Sequence, residues 1–285
     1  MEGVLTTLTR IRELREALDA ERAAGKTIAL VPTMGALHEG HLALVREAAE
    51  RADIVVASVF VNPMQFGEAS DLEAYPRTLD ADVAQLEELG VSLVFAPTVD
   101  EMYPDGKSET VVQAGAVGFL YEGRSRPGHF DGVLTVVSKL FHIVHPDVAV
   151  FGEKDAQQLF LVKRMVRDLN MPVEIVGVPT EREDSGLALS SRNGRIEPSR
   201  KADALVLSQA LRAASRSADQ GVEAMLSAAQ GVVQSDSGVS LDYLAAVDPE
   251  TFRAIPDNHR GPARVIIAAR VGDVRLIDNT MVSVD

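Results

Sequence analysis

The chain has 285 residues, 46% hydrophobic and 25% charged, with a net charge of -14 from 42 acidic and 28 basic side chains. That length suffices for two domains, the composition is globular and not disordered, and a charge of this sign repels a nucleic-acid backbone unless a basic patch is segregated. The sequence contains 0 cysteines, which excludes disulfides, thiolate metal sites and a cysteine nucleophile. No apolar run reaches the roughly 18 to 20 residues of a membrane span. Met1-Glu2-Gly3-Val4 lacks the basic and apolar regions of a signal peptide, so the expected location is cytoplasmic.

In chain order, residues 4–24 read as an amphipathic helix capped by Thr9, with Ile11, Leu14 and Leu18 on one stripe and Gly25 as its stop. A strand over 27–31 follows, then a helix from 42, a strand over 54–61, a helical region over 72–89 and an apolar strand over 91–95. A helix over 133–144, a strand over 147–151, a helix over 156–169 and a strand over 173–178 continue the alternation. Continuous apolar strands, as opposed to period-two ones, predict a parallel sheet of five strands covered on both faces by helices, an α/β fold. The polar segment 181–199 reads as a linker or mobile loop. Beyond it, helices over 200–218 and 222–233 and strands over 241–247, 264–271 and 274–277 predict a smaller α+β unit, with Gly272-Asp273 turning the last two strands into a hairpin.

In open α/β sheets chemistry collects at the carboxyl ends of the strands. After the first strand stands Pro32-Thr33-Met34-Gly35-Ala36-Leu37-His38-Glu39-Gly40-His41, a glycine turn leading into a helix. Backbone N–H groups at a helix start lack intrahelical partners and favour anions, so a nucleotide phosphate fits here with both imidazoles beside it. Metal ligation and plain helix capping remain open for the histidine pair. No G-x-G-x-x-G and no G-x-x-x-x-G-K-[ST] occurs, so neither a dinucleotide fingerprint nor a P-loop is present.

Asn62 and Gln65 after the second strand offer uncharged amides for hydroxyl or carboxylate recognition, and Gln158 is a third amide that can join them. Lys154, in Gly152-Glu153-Lys154-Asp155 after the fourth strand, suits an anion or an internal carboxylate partner. Ser190-Ser191-Arg192 is either a phosphate clamp or a polar loop. Asp80, Asp82 and Gln85 share one helical face that can hold Mg²⁺ through water or simply be a solvated surface. His129 beside Arg126 forms a basic loop, and His142 with His145 marks a helix end.

These motifs, with Phe60-Val61-Asn62-Pro63-Met64-Gln65-Phe66, Tyr75-Pro76-Arg77-Thr78 and Arg126-Pro127-Gly128-His129-Phe130, resemble the pantothenate synthetase (pantoate–β-alanine ligase) family over nearly the whole chain. The resemblance implies a Rossmann-like nucleotidylyltransferase domain over 1–182, a smaller C-terminal α+β domain over 183–285, and a homodimer. It also implies ATP with Mg²⁺, small-molecule substrates and no nucleic-acid or membrane partner. Pantoate carboxylate would attack the α-phosphate of ATP to give pantoyl adenylate, which the β-alanine amine would then convert to pantothenate and AMP.

Carried over by position, the catalytic residues are His41 (the family's proton donor), His38, Lys154 and Arg192. The ATP segments are Met34, Gly35, Ala36, Leu37, His38, Glu39, Gly40 and His41, then Gly152, Glu153, Lys154 and Asp155, then Glu181 through its backbone, and Leu189, Ser190, Ser191 and Arg192. Gln65, Asn62 and Gln158 fall to pantoate and β-alanine, and Asp82 with Gln85 to the metal. The chain departs from a close relative's acidic pair at Ala81 and carries a charge at Glu181 where an apolar residue is common.

Overall fold

The computed structural model describes residues 5–67 and 69–285, so the Met1–Val4 opening lies outside the described residues. Contacts divide the chain into two units. One runs through Glu153 and returns for Leu161–Pro179, and the other takes in Lys154–Phe160 and Thr180–Asp285.

The first unit is a six-stranded parallel sheet of β1 (Thr6–Leu8), β2 (Ile28–Thr33), β3 (Ile54–Val59), β4 (Leu93–Phe95), β5 (Val148–Gly152) and β6 (Glu174–Val178), in the order β1-β4-β3-β2-β5-β6. Ala29, Val31, Val55, Ala57, Val94 and Val150 are all buried in one core cluster with Leu44, Val45 and Ala48 of the helix Glu39–Arg51. Ile28, Leu30, Val56 and Phe95, which alternate with them on the opposite face, are buried too, so the continuous apolar strands are covered on both sides, as their lack of alternation predicts.

The sheet has six strands and not five because residues 4–24 are not one helix. Thr6–Leu8 pairs with β4 at the sheet edge, and the helix is Ile11–Ala23, capped at Arg10 with no side-chain bond from Thr9. The region over 72–89 likewise splits into helices Ala69–Glu73 and Leu79–Glu88. Pro76 lies in the gap between them, and the Arg77 guanidinium donates to the carbonyls of Leu72, Glu73 and Tyr75 at 3.3, 3.4 and 3.2 Å. These are the acceptors a helix end leaves unsatisfied.

Strand order reverses between β2 and β5, where the chain, having built β3 and β4 on one side, crosses to the other. This switch point is where a doubly wound sheet opens a crevice. The histidine turn follows β2, and Gly152 ends β5.

The second unit is an antiparallel sheet β7 (Val239–Val247), β8 (Gly261–Val271) and β9 (Val274–Val284), with helices Val206–Arg216 and Val222–Gln234 contributing to the same core. Val271 pairs with Val274 across Gly272, whose φ of +57° permits the tight hairpin expected there. β9 runs on past the predicted end at 277, because Asp278 and Asn279 pair with Ile267 and Ile266 despite their polarity. Among the described residues, no helix is long and apolar enough to cross a membrane.

Candidate active site

The histidine turn is built from the end of β2. Thr33 Oγ1 donates to the Ser58 carbonyl on β3 at 2.7 Å and accepts the Gly35 N–H at 3.2 Å. Gly35 (φ +83°) and Ala36 (φ +51°) then both take left-handed backbone. A Cβ on Gly35 would stand 2.9 Å from Asp82 Oδ2 and 3.0 Å from Val59 Cγ1, so glycine is required twice over, by conformation and by space.

This reversal aims the N–H groups of Ala36 and Leu37 at Asp82, at 3.0 and 2.8 Å, and Thr78 Oγ1 donates to the same carboxylate at 3.1 Å. Asp82 is 1% exposed. Of Asp82 and Gln85, the pair expected at the metal, the Asp82 carboxylate meets three donors against about four acceptor sites. The Gln85 amide donates to the Ala81 carbonyl of its own helix at 3.3 Å.

Several of the backbone N–H groups expected to be open here have partners within the turn. Gly40 N–H donates to His38 Nδ1 at 3.1 Å, His38 N–H to His41 Nδ1 at 3.3 Å, and the His41 and Leu42 N–H groups to the His38 carbonyl at 2.7 and 3.1 Å. The two rings form a capping box at the start of the helix Glu39–Arg51. Capping is thus compatible with a donor role for both rings. A neutral imidazole whose Nδ1 accepts carries its proton on Nε2, so the cap sets both rings, 4.1 Å apart, in the Nε2–H donor form.

The amide pocket lies in the same unit. Asn62, 1% exposed, donates from Nδ2 to Gln65 Oε1 at 3.0 Å and to the Gly132 carbonyl at 3.1 Å, and accepts from Met64 N–H and the Tyr103 hydroxyl at 3.3 and 2.8 Å. With Oε1 held by Asn62, Gln65 presents Nε2 as its donor, 3.1 Å from Met34 Sδ on the histidine turn. Gly132 allows this approach, since a Cβ there would meet the Met64 carbonyl at 2.3 Å. His129 Nδ1–H donates to the Gln65 carbonyl at 2.9 Å, and its Nε2 accepts from Arg126 Nη1 at 3.1 Å, so the basic loop is tied to the pocket's backbone.

Sequence reasoning passed over Tyr103, which has no motif around it. Burial pushes its phenol up from 10.0 to about 12, so its hydroxyl remains a donor to Asn62 across neutral and mildly alkaline pH. Because the folded state holds this proton more tightly, the resulting stability is present below pH 10.0 and is lost as pH rises through about 12. Denaturant melts over that range should show the parent chain losing its advantage over Tyr103→Phe. At neutral pH the variant should be about 1 kcal/mol less stable.

In the second unit, Lys154 lies in the 3₁₀ turn Glu153–Asp155, and its carbonyl accepts from Asn279 Nδ2 at 3.1 Å. Gln158 follows on the first turn of the helix Ala156–Asp168, half-buried. The segment expected to be a linker is an ordered ladder: Leu189 N–H donates to the Glu181 carbonyl and Glu183 N–H to the Leu187 carbonyl, both at 2.9 Å, around an Arg182–Ala188 bridge. The Glu181 carbonyl is thus committed to Leu189. Ser190 Oγ accepts the Arg192 N–H at 3.2 Å, and Asn193 Nδ2 donates to the Ala188 carbonyl at 3.0 Å.

A family model described as pantoate-beta-alanine ligase matches residues 6–281. The chain belongs to the pantoate–β-alanine ligase family. It is 55% identical to the pantothenate synthetase of Leifsonia xyli subsp. xyli over 276 residues, covering 97% of this chain and 96% of that one. It superposes on the pantothenate synthetase of Thermus thermophilus with a TM-score of 0.90 at 51% identity, covering 96% and 98% of the two chains. A pantoate–β-alanine ligase from Francisella tularensis, solved with β,γ ATP and β-alanine, matches at a TM-score of 0.81 and 33% identity over 97% of each chain.

As a pantoate–β-alanine ligase, the enzyme carries its histidine turn and amide pocket in the first unit and its lysine turn and the Ser190-Ser191-Arg192 segment in the second. The family's reaction is the ligation of pantoate with β-alanine. Asp82 and Tyr103 work one layer behind the family motifs. For Asp82 the signal was a buried-face position on an otherwise acidic helix start.

Proposed function

We propose that His38 and His41 act in this ligation as paired Nε2–H donors to the ATP phosphates. A free carboxylate is a poor acylating agent, and adenylation gives it a good leaving group. As the pantoate carboxylate attacks the α-phosphate, negative charge grows on the departing pyrophosphate, and donors set in advance for that charge lower the barrier. Lys154 and Arg192 supply full positive charge to the same phosphates. The segments Met34–His41, 152–155 and 189–192 hold ATP, with Glu181 at the adenine. Gln65 donates from Nε2 to pantoate and later β-alanine, Gln158 binds pantoate, and Asn62 fixes the Gln65 amide.

Mg²⁺ enters in this reading with ATP, as part of the substrate, its phosphate oxygens serving as ligands. Among the described residues no group of three or more His, Asp or Glu side chains is arranged for a metal, and Asp82 is engaged, so no step is assigned to a resident ion. The family resemblance carries the homodimer, the cytoplasmic location and the division near residue 182.

The observation that carries the reading is the pair of Nδ1 acceptors at the carboxyl end of β2, which puts both ring protons on Nε2 at the switch point. Incubation with ATP, Mg²⁺, pantoate and β-alanine should release AMP and pantothenate in equal amounts. AMP release that continues without either organic substrate counts against it.

A further inference from the structure

On β9, Val274, Leu276, Val282 and Val284 belong to the apolar core of the second unit. Side chains of a strand alternate in direction, so Asp278 falls on this same core-facing stripe, where a valine or leucine is expected. It is 4% exposed. Arg182 meets it with two parallel bonds, Nη1 to Oδ2 at 2.7 Å and Nη2 to Oδ1 at 2.8 Å, and also donates to the Gly186 carbonyl at 3.2 Å. The bidentate contact raises the Arg182 pKa further above its ordinary value.

A buried ion pair is seldom the most stable choice for such a place, since apolar residues of similar volume do as well or better. What it fixes is geometry. Arg182 lies on the ladder that joins Glu181 to Leu189, so Asp278 anchors the hairpin from which Ser190, Ser191 and Arg192 extend.

The next residue points the other way and holds a different segment. Asn279, 6% exposed, accepts from the Arg264 guanidinium through Oδ1, which turns Nδ2 toward the Lys154 carbonyl at 3.1 Å. Asn279 N–H donates to Asp278 Oδ1 at 2.8 Å, locking the two residues to each other.

We infer that Asp278 and Asn279 are positioning residues for adenylation, adjacent β9 residues that set the Lys154 turn and the Arg182 hairpin in register so that Lys154 and Arg192 address the same phosphates. The inference rests on the phosphate roles proposed above for Lys154 and Arg192. It gives the C-terminal sheet a part in the chemistry that neither residue type nor motif announces.

The test is the double substitution Asp278→Leu with Arg182→Met, alongside Asn279→Ala. The apolar pair removes the clamp without leaving a buried charge, so any fall in the thermal midpoint should be the small one expected from the Asn279 N–H losing its acceptor, and the variant should stay folded at the assay temperature. The clamp's loss should lower kcat/KM for ATP in pyrophosphate release by about 10- to 100-fold, the scale of a small misplacement of reacting groups. KM for β-alanine should not change, and Asn279→Ala should show the same split. Wild-type kcat/KM for ATP in a folded double variant and in Asn279→Ala overturns the inference, as does an equal loss for all substrates that follows the loss of folded protein. Lys154→Ala, assayed in parallel, separates the premises: if it adenylates normally, the phosphate reading fails. If it is inactive while the β9 variants are not, only the positioning role fails.

Discussion

Asp82→Ala is expected to cost both stability and adenylation. The Ala36 and Leu37 N–H groups lose their acceptor in a partly buried turn, and each unsatisfied donor costs about 1–3 kcal/mol, so unfolding free energy should fall by about 2–6 kcal/mol. The left-handed pair Gly35-Ala36 is then held only through the Gly35 N–H to Thr33 Oγ1, and the histidines that follow lose part of their placement. Pyrophosphate release with ATP and pantoate should slow by about 100-fold. A metal-ligand role makes a different forecast: an unchanged thermal midpoint and recovery of rate at high Mg²⁺. Recovery of that kind restores the carboxylate to the metal and removes it from the turn. Gly35→Ala should reproduce the Asp82→Ala phenotype, because the added methyl pushes on the same carboxylate from the other side.

The fold was legible where one physical signal acted alone. Uninterrupted apolar strands predicted a covered parallel sheet, and Gly272-Asp273 predicted the hairpin. The reading failed where a neighbour overrode local preference. Thr6–Leu8 has only three residues and is a strand because β4 offers it an edge. Asp278 and Asn279 look like a strand's end, yet they are its functional middle, since an arginine 96 positions away and a carbonyl 125 positions away satisfy them.

The candidate site divides the same way. Residue types in motifs were readable, because chemistry dictates type and spacing. Who accepts from whom was not. Several N–H groups that sequence presents as open at this helix start are met by the two histidines and Asp82, and those bonds set which ring nitrogens of the histidines carry a proton.

His41 is where the ring's tautomer has its largest expected effect. His41→Ala should slow single-turnover pyrophosphate formation by about 100-fold or more, the loss expected for one charge-stabilising donor. That variant also removes half of the capping box, so it cannot by itself separate placement from chemistry. His41→Asn does separate them: asparagine Oδ1 can take the place of Nδ1 as acceptor for the His38 N–H, but nothing replaces Nε2–H. Its thermal midpoint should stay near the parent value while its adenylation rate falls with that of the alanine variant. The pH dependence then decides between two roles for the ring. An imidazolium has no acceptor at Nδ1, so protonating His41 breaks the bond from His38 N–H, and a neutral donor predicts adenylation that falls toward acid pH. Adenylation that rises as the ring is protonated, in the parent and not in His41→Asn, assigns proton donation to His41 and removes charge stabilisation by the neutral ring.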